Sequence, residues 1–158
     1  SGLITGTQWD VMMKFLSDTS DYSDMKSTKW GNYDNVSLTN LRGYYTNVNI
    51  SDGGTEGFKK TNELKTDQEI NSWVILTTGS TEQVLRKGLY DVAGNLWEWT
   101  QEASYKANLS YNTTYNTYNL RGGSFSNAYT KYPACYRECN SAPDTYTSFG
   151  FRPVLYIK

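Results

Sequence analysis

Hydrophobic positions are spread unevenly along this chain, and their spacing changes several times. Trp9, Met12, Met13 and Leu16 recur every three or four residues, the single stripe of an amphipathic helix. The spacing predicts a helix over Thr5–Asp18, with Thr7 and Asp10 forming a capping-box-like start and the stripe facing the core. From residue 17 to 68 the pattern dissolves into Gly, Asn, Ser, Asp and Thr, as in DYSD, KWGNY, GYYTN and SDGGTEG. Long irregular loops are expected there, pinned by isolated aromatics such as Trp30, Tyr33, Tyr44 and Tyr45. Thr66–Ser72 reads as a short helix, with Thr66 as its cap and Asp67 and Glu69 in the first turn. Trp73–Leu76 reads as a buried strand, and Ser80–Lys87 as a helical turn with Ser80 and Gln83 as a capping pair. Ser104–Asn119 is a low-complexity Tyr/Asn/Thr tract and reads as a loop. Leu120–Phe125 and Phe151–Ile157 read as strands; Pro153 lacks an N–H and belongs at a sheet edge or a non-bonded position.

Composition narrows the chemistry. The 158 residues are enough for one domain with its own core. There is no histidine, which removes imidazole bases, Ser-His-Asp triads and imidazole-bound metals from this chain. Fifteen basic and 16 acidic residues leave no electrostatic footprint for nucleic acid or an anionic membrane. Mean hydropathy is −0.67, and no apolar run is long enough to cross a bilayer. The start, SGLITGTQW, has neither the basic nor the apolar region of a secretory leader. Aromatics make up 15% of the chain, with 14 tyrosines, a side chain suited both to pinning loops and to recognition surfaces. Cys135 and Cys139 could form a local disulfide, join other metal ligands or stay reduced; a second pair for a zinc site is missing.

Two glycine-rich blocks frame the informative part. In GLYDVAGNLWEWT, Gly88 and Gly94 permit tight turns, and alternation puts Trp97 and Trp99 on one side with Glu98 on the other. A carboxylate between two indoles needs a partner, either Arg121, Arg152 or a bound metal. In LRGGSF, Gly122 and Gly123 allow a bulge or a close approach, and Arg152 of GFRP is expected to face inward onto a carboxylate. The polar segment between them, SNAYTKYPACYRECNSAPDTYTS, is held at both ends by strands, as a recognition loop should be. Its candidate contacts are Tyr129, Tyr132, Tyr136 and Tyr146, with Asn127, Lys131, Glu138 and Asn140 as polar partners. About half of those tyrosines are expected to be buried.

Three blocks in order, LITGTQWDVM (3–12), GLYDVAGNLWEWT (88–100) and LRGGSF with GFRP (120–125, 150–153), resemble the formylglycine-generating-enzyme, or sulfatase-modifying factor, domain family. The resemblance implies a single α+β domain of C-type-lectin-like fold over residues 1–158, with two main helices, short antiparallel strands and much ordered loop. Family members carry sequence before the first block, so this chain is expected to be a piece of a larger protein, with an unusually compact version of the domain as the alternative. The family includes copper-dependent oxidases that need two cysteines after the RGGS strand; by position those places hold Asn127 and Tyr132. Its iron-dependent sulfoxide-forming members bind iron through histidines, which are missing here. Its third kind is non-catalytic: variable proteins of diversity-generating retroelements, which keep RGGS and GFR and vary the residues between. The expectation is therefore a non-catalytic ligand- or receptor-binding module, with diversification of this kind as its finer form, the copper oxidase as the alternative and a ligand-free structural domain as a third reading. The resemblance also implies a structural calcium held by Asp91, Gly94, Leu96 and Glu98, and no haem, nucleotide or iron. It implies a protein or glycan partner on a cell or phage-host surface, and an extracellular place on a bacterial surface or phage virion.

Overall fold

The computed structural model describes residues 1–26, 29–49, 54–61, 73–104, 117–142 and 144–155. Helix α1 (Gly6–Leu16) follows strand β1 (Gly2–Leu3) and buries Trp9, Met13 and Leu16, with Met12 packed at the rim. Its capping box is not Thr7 with Asp10. Thr5 is the N-cap: its hydroxyl accepts from the Gln8 N–H at 3.1 Å, and the Gln8 side chain accepts from the Thr5 N–H at 2.9 Å. Asp10 is not available for capping because it pairs with two arginines of the sheet. The Trp9 indole N–H donates to the Ala134 carbonyl at 3.0 Å, tying the helix to the far end of the chain.

The remaining strands are β2 (Tyr44–Asn47), β3 (Lys59–Lys60), β4 (Val74–Leu76), β5 (Leu85–Arg86), β6 (Leu89–Tyr90), β7 (Trp97–Ala103), β8 (Thr117–Arg121), β9 (Arg137–Ser141), β10 (Phe149–Phe151) and β11 (Pro153–Val154). They form a four-stranded sheet in the order β10-β7-β8-β9, a three-stranded sheet β3-β2-β4, and the pairs β1-β11 and β5-β6. Among the described residues these strand pairs are antiparallel except β10 on β7, which is parallel and departs from the expected pattern. Pro153 sits opposite Leu3 in the β1-β11 pair, a ladder of two short strands in which a missing N–H is tolerated.

One core cluster lies under α1 and joins Ile4, Trp9, Met13, Met25, Tyr33 and Val92. A second surrounds the small sheet with Leu38, Tyr45, Val74, Leu76 and Val84. Among the described residues α1 is the one α-helix; the helix expected at 66–72 lies outside them. The turn expected at Ser80–Lys87 is a 3-10 turn, Glu82–Val84, capped by Thr81 rather than Ser80, and the chain then extends into β5. Trp73 has φ 24°, so the strand begins one residue later than expected. Of the expected loop at 104–119, residues 105–116 lie outside the described set, and Thr117–Asn119 already belong to β8. That strand ends at Arg121, before the glycine pair, and not at Phe125.

Candidate functional site

The site is built where the two glycine blocks meet. Gly122 and Gly123 follow β8 with φ of 94° and 75°, the left-handed region open to glycine. A Cβ on Gly123 would lie 2.5 Å from the Tyr132 carbonyl and 2.7 Å from the Tyr33 ring. This close approach brings the polar segment against the core. Gly94 of the other block donates its N–H to the Gly122 carbonyl at 2.9 Å. Next to it, Asn95 acts as an extra strand: its side-chain oxygen accepts from the Leu76 N–H at 2.9 Å, and its amide donates to the Leu76 carbonyl at 3.0 Å. Asn32 joins this buried network by donating to Asn95 at 3.0 Å. Neither asparagine stood out in the sequence, since an AGN triplet does not say which strand its side chain will reach.

The four-stranded sheet has two chemically different faces. Arg121 pairs in register with Arg137 and Glu98. Arg121 is fully buried, 5.8 Å over the Trp9 ring, and ion-paired with Asp10; Arg137 joins Asp10 and, at 2.9 Å, Glu102. This face is turned toward α1. Alternation turns Trp99, Leu120 and Glu138, register partners in one row, to the opposite face, with Asn140 opposite Tyr118 two residues on.

That outer face carries two aromatic clusters. In the first, Tyr132 meets Trp97 at 5.7 Å and Tyr136 at 5.0 Å between ring centres, with Tyr136 also 6.2 Å from Trp97. The Lys131 ammonium stands 5.2 Å over the Tyr132 ring. In the second, Phe149 meets Trp99 at 5.4 Å and Tyr146 at 4.9 Å. Tyr146 is 62% exposed and Tyr136 37%. Of the eight expected contact residues, Lys131, Tyr132, Tyr136, Glu138, Asn140 and Tyr146 thus come together with this face.

The other two are turned into the fold. The Asn127 side-chain oxygen accepts from the Ser124 N–H at 3.0 Å and the Ser124 hydroxyl at 2.9 Å, and its carbonyl accepts from the Asp34 N–H. Tyr129 packs edge-on against Tyr33 at 6.3 Å beside the helical core. Sequence reasoning singled out neither Trp99 nor Phe149 as part of this face, because the Trp-Glu-Trp alternation shows which residues share a side but not which side stays open.

Glu98 takes Arg152 of the two arginines considered for it. The guanidinium donates to both carboxylate oxygens, at 2.7 and 3.0 Å, and also to the carbonyls of Tyr90 and Asp91. Burial pushes the Glu98 carboxyl above its usual pKa, and Arg152 opposes that shift. Asp91, at φ 52°, is buried with its pKa likewise raised; one oxygen accepts from the Gly79 N–H at 2.9 Å and the other has no hydrogen-bond partner among the described residues. A cation therefore already stands among these oxygens. A calcium held by Asp91, Gly94, Leu96 and Glu98 would have to share the Glu98 carboxylate with this guanidinium.

The cysteines are not bridged. Cys135 is half-buried against the helical core, and burial raises its thiol pKa, which disfavours the thiolate that copper ligation requires. Cys139 is in β9 opposite Asn119.

Residues 42–157 match the sulfatase-modifying factor enzyme 1-like domain. A comparison with curated proteins found no match. Among solved structures, that of CarF is similar at 17% identity and a TM-score of 0.53, covering 97% of this chain and 48% of the other. Treponema denticola variable protein 1 is similar at 18% identity and a TM-score of 0.47, covering 95% of this chain and 45% of the other. The chain thus spans about half the length of these two structures, and the likeness to CarF speaks for the fold. With nearly three-quarters of its length matched, and the GLYDVAGNLWEW and RGGSF turns locked together as described, the chain belongs to the sulfatase-modifying factor enzyme 1-like domain family.

Proposed function

We propose that this domain is a non-catalytic binding module and that its ligand lies on the outer face of the four-stranded sheet. One observation carries the reading. The two positions that an oxidase of the family would fill with thiols hold Asn127, engaged with Ser124, and Tyr132, stacked between Trp97 and Tyr136. Neither side chain can hold copper as a thiolate pair does. Tyr132, Tyr136 and Tyr146 would supply rigid contact area, with Lys131, Glu138 and Asn140 as adaptable polar contacts. Asn127 and Tyr129 would hold the loop in place from below.

The partner fitting this reading is a protein or glycan on a cell surface, met outside the cell by a larger protein on a bacterial surface or phage virion. Diversification by a retroelement is the finer form of the proposal; a reverse transcriptase gene and a near-copy of the region encoding residues 121–153, differing at adenines, would support it. We also propose that Arg152, not calcium, neutralises Glu98, so that calcium or a chelator leaves the melting temperature unchanged. The main reading is tested by incubating the protein with copper, oxygen and a cysteine-containing sulfatase peptide. No formylglycine is expected, and its formation would overturn the proposal.

A further inference from the structure

Beyond the tyrosine cluster, the sheet carries a groove of about 430 Å³ between β7, β8 and the β1 end of the chain, within the size range of small-molecule clefts, roughly 300–1,000 Å³. Leu3, Trp99, Gln101, Tyr118, Ala142 and Phe151 line it. Phe151 is the register partner of Trp99 across the β10-β7 pair, so both residues face the same side of the sheet, and Phe151 is 67% exposed. Gln101 is exposed on β7.

Charge selects the occupant. One residue in five of this chain is charged, yet among the described residues no charged side chain lines the groove. An ionic ligand would lose water there with nothing to replace it. A wholly apolar ligand would leave the amide of Gln101 and the phenol of Tyr118 without water or partner. A neutral ring with one C–H face and a rim of hydroxyls meets both demands. The negative face of an indole or phenyl ring attracts weakly positive C–H groups, and an amide can both donate to and accept from hydroxyls. We propose that this groove is a subsite for a neutral pyranose; it lies on the same outer face as the binding surface proposed above, with Trp99 part of both, and does not require Tyr132 or Tyr136.

The test is an NMR titration that follows the Trp99 indole signal. Methyl pyranosides of glucose, galactose, mannose and N-acetylglucosamine are the probes, with glucuronate, glucosamine and cyclohexanol as controls. At least one neutral pyranoside should shift the signal with a dissociation constant in the millimolar range, and the controls should bind about tenfold more weakly or worse. Gln101→Ala and Phe151→Ala, both at exposed positions, should each weaken binding about fivefold or more, while Tyr136→Ala leaves it unchanged. No shift with any neutral pyranoside, equal binding of a charged sugar or of cyclohexanol, or binding that survives both groove substitutions would overturn the proposal. None of these outcomes bears on the Tyr132–Tyr136 surface, which is read out separately by Tyr136→Ala against its own ligand.

Discussion

Replacing Arg152 by alanine tests the electrostatics that hold the two glycine blocks together. The Glu98 side chain is 10% exposed, and Arg152 provides both of its hydrogen-bonded ion-pair contacts. Removing one member of such a pair leaves a buried, uncompensated charge and costs about 3–5 kcal/mol. Glu98 can escape part of that cost by taking up a proton, because burial already raises its pKa and Arg152 is what holds the rise in check. The sign follows from which state binds the proton more tightly. With a folded pKa above the unfolded value of 4.5, the folded state keeps its proton as pH rises past 4.5 while the unfolded state loses it. The group's contribution to stability is therefore full below that value and is lost as pH rises toward the folded pKa, at about 1.4 kcal/mol per pH unit. Urea unfolding of wild type, Arg152→Ala, Glu98→Gln and the double variant across a pH series measures this directly. Arg152→Ala should show its full deficit near neutral pH and a smaller one toward pH 4.5. The double variant should recover most of the neutral-pH loss, since a neutral amide has no charge to strand. A deficit that is independent of pH and unrelieved by Glu98→Gln would refute the argument and leave only lost packing.

Further expectations can be checked by the same unfolding assay. Gly123→Ala should lose more than about 2 kcal/mol, because alanine at φ 75° is strained and its Cβ would meet the Tyr132 carbonyl. Thr5→Ala should cost about 1 kcal/mol by removing the acceptor of the Gln8 N–H, whereas Thr7→Ala should cost well under half of that if Thr5 alone caps the helix. Tyr146→Ala should change stability by no more than about 0.5–1.5 kcal/mol, the worth of an exposed aromatic pair, while weakening any ligand that uses the outer face. Cys135→Ser and Cys139→Ser should leave binding intact, because neither thiol is bridged and neither lies in the aromatic clusters.

Local chemistry was legible wherever the cause was local. The i, i+3, i+4 stripe from Trp9 to Leu16 located α1, the Trp73–Leu76 run located a buried strand one residue too long, and the Trp-Glu-Trp alternation showed that Glu98 needs a partner without choosing between an arginine and a metal. The ordered blocks pointed to the family over a span that the match at 42–157 supports, without including the first block. Helix capping was read two residues late because Thr5 and Thr7 are equivalent as letters. Only the approach of Arg121 and Arg137 decided that Asp10 would pair with the sheet and leave the cap to Gln8.

Residue type and backbone geometry alone fix the alternation of faces, the positions that must be glycine and the lack of imidazole chemistry in this chain. Tertiary structure decided which arginine Glu98 takes, that Asn127 and Tyr129 turn inward, and that Trp97 is buried against Tyr132 while Trp99 meets Phe149. Those outcomes depend on contacts between residues dozens of positions apart. No local pattern encodes which of several chemically equivalent partners will be brought within hydrogen-bonding range when the strands β7, β8 and β10 align.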